Sequence, residues 1–145
     1  MTYNQLITEI TNLLQSHAQI KEVKNQTASE WLNQAGVPDF PVALFSINSG
    51  TINKGSEQVW SVQFFFLDKS GADREFEPDV ISDQWQIAED IVQLMRGTRR
   101  DYYVDDQVTI TPISDKYEDY LAGVTYTITI TSQRQYDGCE VPTTV

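Results

Sequence analysis

The chain is poor in the groups that carry covalent and acid–base chemistry. Of its 145 residues one is cysteine, Cys139, and one is histidine, His17. A single cysteine excludes an intrachain disulfide and any multi-cysteine metal site, and this usage fits folding in a reducing cytoplasm. Cys139 lies in an aperiodic stretch with no base expected beside it, so it reads as incidental or as packing. His17 falls at the end of an apolar helical stripe, and no Gly-x-Ser-x-Gly elbow accompanies it. It reads as a structural histidine at a helix end rather than a member of a catalytic set. Phosphate cradles of the G-x-x-x-x-G-K-[ST] or G-x-G-x-x-G kind are missing.

Positive charge is equally scarce. Ten Lys and Arg stand against twenty-one Asp and Glu, a formal net charge of −11. A free protein of this charge does not bind phosphate backbones by counterion release. Arg96, Arg99 and Arg100 are too few for a nucleic-acid footprint; they read as cations complementing a helix C-terminus. The acids Asp101, Asp105 and Asp106, and Asp115, Glu118 and Asp119, lack the spacing of a calcium loop. They read as solvated loop acids, and neither metal nor cofactor is expected. No apolar run approaches the roughly 20 residues of a membrane helix. The first basic residue is Lys21, so the opening lacks the positive region of a secretory signal.

What the chain does have is strong patterning. In Val124-Thr125-Tyr126-Thr127-Ile128-Thr129-Ile130-Thr131 apolar residues alternate with threonine. That is a strand with one face in a core and one uniformly neutral, β-branched face. A solvated face usually carries charges, so this one suits contact with another protein surface. Thr2-x-x-Gln5 predicts a capping box opening a helix over about 3–18, with Leu6, Ile10, Leu13 and Leu14 as its stripe. Thr27-x-x-Glu30 predicts a second box and a short helix with Trp31 and Leu32, stopped by Gly36. Pro38 and Pro41 then impose an extended connection.

Two strands follow, about 42–48 and 57–67, joined by the turn-rich Ser49–Ser56. Trp60, Val62, Phe64 and Phe66 share one face; Phe65 and Leu67 face the other way, which predicts cover on both sides there. Pro78 announces a helix to about Arg96 with Ile81, Trp85, Ala88, Ile91, Val92 and Met95 inward. Strands over 107–113 and 124–131 close the domain. The reading is a single α+β domain over 1–134 with an extended tail over 135–145. Its order is α-(α)-β-β-α-β-β, a four-stranded, mostly antiparallel sheet with the two main helices on one face. Trp60, Phe64, Phe66, Trp85 and Tyr126 are expected in the core. Tyr102, Tyr103, Tyr117, Tyr120 and Tyr136, in loops or beside acids, are expected at an interface, where tyrosine combines area with a polar tip.

This order, with an amphipathic first helix, a proline-punctuated entry into a long hairpin, a Pro78-led helix and a final strand pair, resembles the tail-terminator or tail-completion family of tailed bacteriophages. The likeness spans about 2–134. The segment beyond Arg134, with Cys139-Glu140-Val141-Pro142, resembles structural proteins of crAss-like gut phages. The resemblance implies a non-enzymatic virion protein, made in the bacterial cytoplasm. It would form a ring of six or twelve copies at the neck, between portal or connector and tail, with a channel through which DNA passes unbound. It implies that subunits meet through the sheet and hairpin, here Ser49–Ser56 and the face of Thr125, Thr127, Thr129 and Thr131; Tyr117 and Tyr120 join the candidate interface by residue type. Ser49, Gly50, Thr51, Ile52, Asn53, Lys54 and Gly55 would be the inter-ring loop. Channel-lining acids would come from Asp101, Asp105, Asp106, Asp115, Glu118 and Asp119. The alternative from another class is a small-ligand-binding regulatory α+β domain, also non-enzymatic.

Overall fold

A computed structural model describes residues 2–32, 39–55, 57–70, 77–97, 101–114 and 121–133. The expected tail, 135–145, lies outside them, as does Gly36.

Helix α1, Tyr3–Gln15, begins at the predicted capping box: the Gln5 amide donates to Thr2 Oγ1 and the Thr2 amide to Gln5 Oε1. It ends three residues short of the expected bound. The Ser16 hydroxyl donates to the Leu13 carbonyl at 2.6 Å, a side-chain bond that competes with helix continuation. Strand β1, Glu22–Asn25, is an addition to the expected elements. It lies parallel to β2 at the sheet margin, and only Val23 among its four residues is apolar, too little to show period two. Helix α2, Ala28–Leu32, is capped by Thr27, whose hydroxyl accepts from the Glu30 amide at 3.2 Å.

Strands β2, Val42–Ile52, and β3, Glu57–Lys69, pair from Val42 opposite Leu67 out to Ile52 opposite Gln58. The register shifts between Ile47 and Ser49, which leaves Asn48 as a bulge on β2. Helix α3 spans Glu77–Met95. The sheet order is β1-β2-β3-β6-β4, with β5 also on β6. Among the described residues the sheet thus has six strands instead of four, mostly antiparallel, and the α+β class stands. The predicted strand over 107–113 is replaced by β4, Tyr102–Val104, and β5, Thr111–Ser114. Both lie along the same outer edge of β6, Leu121–Gln133. Residues 105–110 bridge them as an arch, with Val108 and Ile110 turned onto the core instead of into a ladder. Pro112 has no amide to donate, which an edge strand tolerates.

Two cores lie on opposite faces. The larger packs α1 and α3 on Phe45, Val62, Phe64, Phe66, Tyr126 and Ile128. The smaller sets Trp31 of α2 and Phe40 against Leu44, Phe65, Leu67 and Leu121, so the far end of β3 is covered on both sides as its sequence predicts. Gly123 of β6 permits the tightest approach. A Cβ there would lie 1.8 Å from the Phe66 carbonyl oxygen. Tyr102 corrects an expectation: it is buried in the larger core instead of lying at an interface, because it faces Ser132 on the helix side of the sheet. Trp85, expected in the core, is half-buried at its margin.

Candidate functional site

The face of the sheet opposite α1 and α3 divides in two. One end is the smaller core. Beyond it the register aligns Ser46, Gln63 and Thr127, then Ser49, Ser61 and Thr129, then Thr51, Val59 and Thr131. These rows contain no ionisable side chain. Thr127, Ser49 and Thr51 are exposed, and Ser46, Ser61, Gln63, Thr129 and Thr131 are half-buried. Thr125 stands at the boundary, where its hydroxyl donates to the Phe64 carbonyl at 2.7 Å and accepts from Gln63 Nε2 at 3.5 Å. Period two in β6 puts its threonines here and its apolar residues in the core. Glu57 borders the surface, and its carboxylate accepts the Tyr103 hydroxyl at 3.3 Å. Tyr103 is exposed opposite Thr131; the charge on Glu57 raises its phenol above the ordinary value. Tyr117, Tyr120 and Tyr136 lie outside the described residues.

The expected hairpin loop is shorter than its composition suggests. Ser49, Gly50, Thr51 and Ile52 belong to β2, since small and β-branched residues continue the ladder past the bulge. Of the rest of that stretch, Asn53, Lys54 and Gly55 lie outside the strands, and Ser56 lies outside the described residues. The Asn53 amide donates to the Glu57 carbonyl at 2.9 Å. Gly55 has φ 82°, a left-handed conformation that side chains rarely adopt. Ile52 is 65% exposed.

The proposed channel acids divide as well. Asp101 and Asp106 are exposed. Asp105 is half-buried, and its Oδ2 accepts the Thr129 amide at 3.0 Å. Its carboxylate therefore completes the edge of β6 where neither β4 nor β5 pairs. Arg96 donates to the carbonyls of Asp105 and Asp106 at 3.1 and 2.7 Å, so it fastens the arch to α3. Asp115, Glu118 and Asp119, like Arg99 and Arg100, lie outside the described residues.

Both ring nitrogens of His17 are hydrogen-bonded. Its Nδ1 accepts the Gln19 amide at 3.2 Å, which places the proton on Nε2, and Nε2 donates to Asp90 Oδ2 at 2.9 Å. The ring ties the end of α1 to α3. Among the described residues no group of three or more His, Cys, Asp and Glu is placed to hold a metal. No helix of the described residues is long and apolar enough to cross a membrane.

One feature escaped the sequence reading. Trp85 and Glu89 are joined across one helical turn, indole Nε1 to Oε1 at 3.0 Å. Beside them an open cleft of about 500 Å³ runs between α3 and the arch. The i,i+4 spacing of the two residues was its available signal; the second wall depends on how the arch folds. No protein-family model matches the chain, and no curated protein matches it.

Proposed function

We propose that this chain is a structural virion protein that assembles into a ring of six or twelve copies at a phage neck or tail end. It would be made in the host cytoplasm, meet portal or connector and tail proteins, and leave a channel through which DNA passes without specific binding. The observation that carries the reading is the uncharged Ser, Thr and Gln surface over β2, β3 and β6. In a chain of net charge −11, three adjacent strands carry aligned rows without one ionisable group. Neutral hydroxyl side chains cost less to desolvate than charges, and two such anionic copies approach with least repulsion where neither is charged. The occupied nitrogens of His17 also fit a non-enzymatic role.

The test is the assembled mass. The wild-type protein is expected well above 16.5 kDa in native mass spectrometry. Thr127→Lys with Thr129→Lys should leave a folded monomer that does not assemble, since both point away from the larger core. Normal rings from the double variant would remove the surface from the interface. A small-ligand-binding regulatory domain is the second reading, favoured by the cleft along α3. It predicts a chain that stays small and gains thermal stability with a ligand.

A further inference from the structure

The α3 cleft mixes apolar and polar walls and has an acidic rim. Trp85, Val92, Val108 and Ile110 line it, and Glu89 and Asp90 stand beside them. Neither carboxylate meets a Lys or Arg among the described residues: Glu89 accepts the Trp85 indole and Asp90 accepts His17. Arg96 also borders the cleft, but its guanidinium is engaged by the two arch carbonyls. A slot of this kind fits a segment that offers one apolar side chain and one cation, because burial of the first and pairing of the second act together.

The chain carries such a segment at its own hairpin tip. Ile52 is 65% exposed. Lys54, two residues on, forms no ion pair among the described residues. Ile52 pairs with Gln58 beside the turn, and past Phe45 no strand pairs the outer edge of β2 among the described residues. Within one protomer the tip is solvent-exposed, with nothing within 4 Å of a Cβ built on Gly55. Docking of a tip in a cleft therefore requires a second copy.

We propose that the hairpin tip of one copy docks in the α3 cleft of the next, Ile52 against Trp85 and Lys54 between Glu89 and Asp90. This contact rests on the ring assembly proposed above and gives it a direction. Knob and slot are different surfaces, so the contact is head-to-tail, the type that propagates around a ring instead of closing as a two-fold pair.

The experiment is disulfide trapping in the full chain, with Lys54→Cys and Glu89→Cys in a Cys139→Ser background. The expected product is a ladder of linked species rising to the copy number of the ring. In parallel, Lys54→Glu should raise the concentration needed for assembly at least about tenfold, the effect of one close charge pair turned repulsive. Adding Glu89→Lys to the same chain should restore it. Circular dichroism of each variant confirms the fold; both sites are exposed. Assembly of the wild type without a ladder, or a product that stops at dimers, overturns the docking while leaving the ring. A wild-type mass of 16.5 kDa at every concentration, without a ladder, overturns the ring and the docking together. The wild-type mass alone separates the two failures.

Discussion

Asp105 Oδ2 lies 3.0 Å from the Thr129 amide nitrogen and accepts its proton, so one carboxylate fills the gap in the ladder between β4 and β5. Asp105→Ala would leave that half-buried donor unpaired, at a cost of about 1–3 kcal/mol. Asp105→Asn keeps an oxygen acceptor and should lose less. Urea denaturation of both variants separates the two, and faster hydrogen exchange at the Thr129 amide should accompany the alanine change. Equal losses from Asn and Ala would mean that the bond is not what holds the edge.

Gly123 and Gly55 should respond differently to alanine. At Gly123 the new Cβ meets the Phe66 carbonyl 1.8 Å away, and backbone on both strands must move. A loss of about 1–3 kcal/mol is expected, in the range of overpacked cores. At Gly55 space is open but φ is 82°, so the loss should be about 1–2 kcal/mol from the left-handed backbone alone. Thermal melts would show a broader effect at Gly123, with disturbed aromatic signals from Phe66 and Tyr126.

Tyr126 stacks on Phe64 and Phe66 at centroid distances of 5.1 and 5.9 Å, and its buried hydroxyl has no hydrogen-bond partner among the described residues. Tyr126→Phe keeps the rings and removes an unpaired polar atom, so stability at pH 7 should be unchanged or higher by about 1 kcal/mol. Burial raises the phenol above its ordinary value of 10.0. The unfolded chain then releases this proton near pH 10 while the folded chain keeps it. Ionisation of Tyr126 thus costs the fold nothing below pH 10, and stability falls as pH rises beyond it. The difference between wild type and Tyr126→Phe should move in favour of the variant by about 1.4 kcal/mol per pH unit above 10. Denaturation curves at pH 9, 10 and 11 read this directly.

His17→Gln should leave fold and assembly intact, with a stability loss of about 1 kcal/mol for the link to Asp90. Loss of infectivity from this change in a normally folded protein would point to chemistry at the histidine that its two occupied nitrogens do not suggest.

Free wild-type protein should not retard duplex DNA at moderate salt, because a chain of net charge −11 has few cations with which to release counterions. In the proposed ring, Asp101→Asn with Asp106→Asn should slow genome ejection and spare assembly, since the exposed acids would keep passing phosphates from adhering. Tight, salt-sensitive DNA binding by the wild type would count against an acidic lumen.

The elements legible in the sequence are those whose pattern is local. Thr2 and Gln5 announce the start of α1, the stripes of α1 and α3 announce their buried faces, and the alternation from Val124 to Thr131 assigns the two faces of β6. The neutral Thr surface was legible for the same reason, because side chains in a strand alternate whatever the strand pairs with. Tertiary structure alone decided the margins. The polar Glu22–Asn25 becomes a strand because β2 offers it an edge. Tyr102 goes inward and Tyr103 outward because β4 takes its register from Ser132 and Thr131. Residues 105–110 leave the ladder because the Asp105 carboxylate reaches an amide twenty-four positions away. The α3 cleft exists because Arg96 holds that arch beside Trp85. Periodicity reports which way a side chain faces; the partner of an edge depends on chain segments far apart in sequence, which no local window contains.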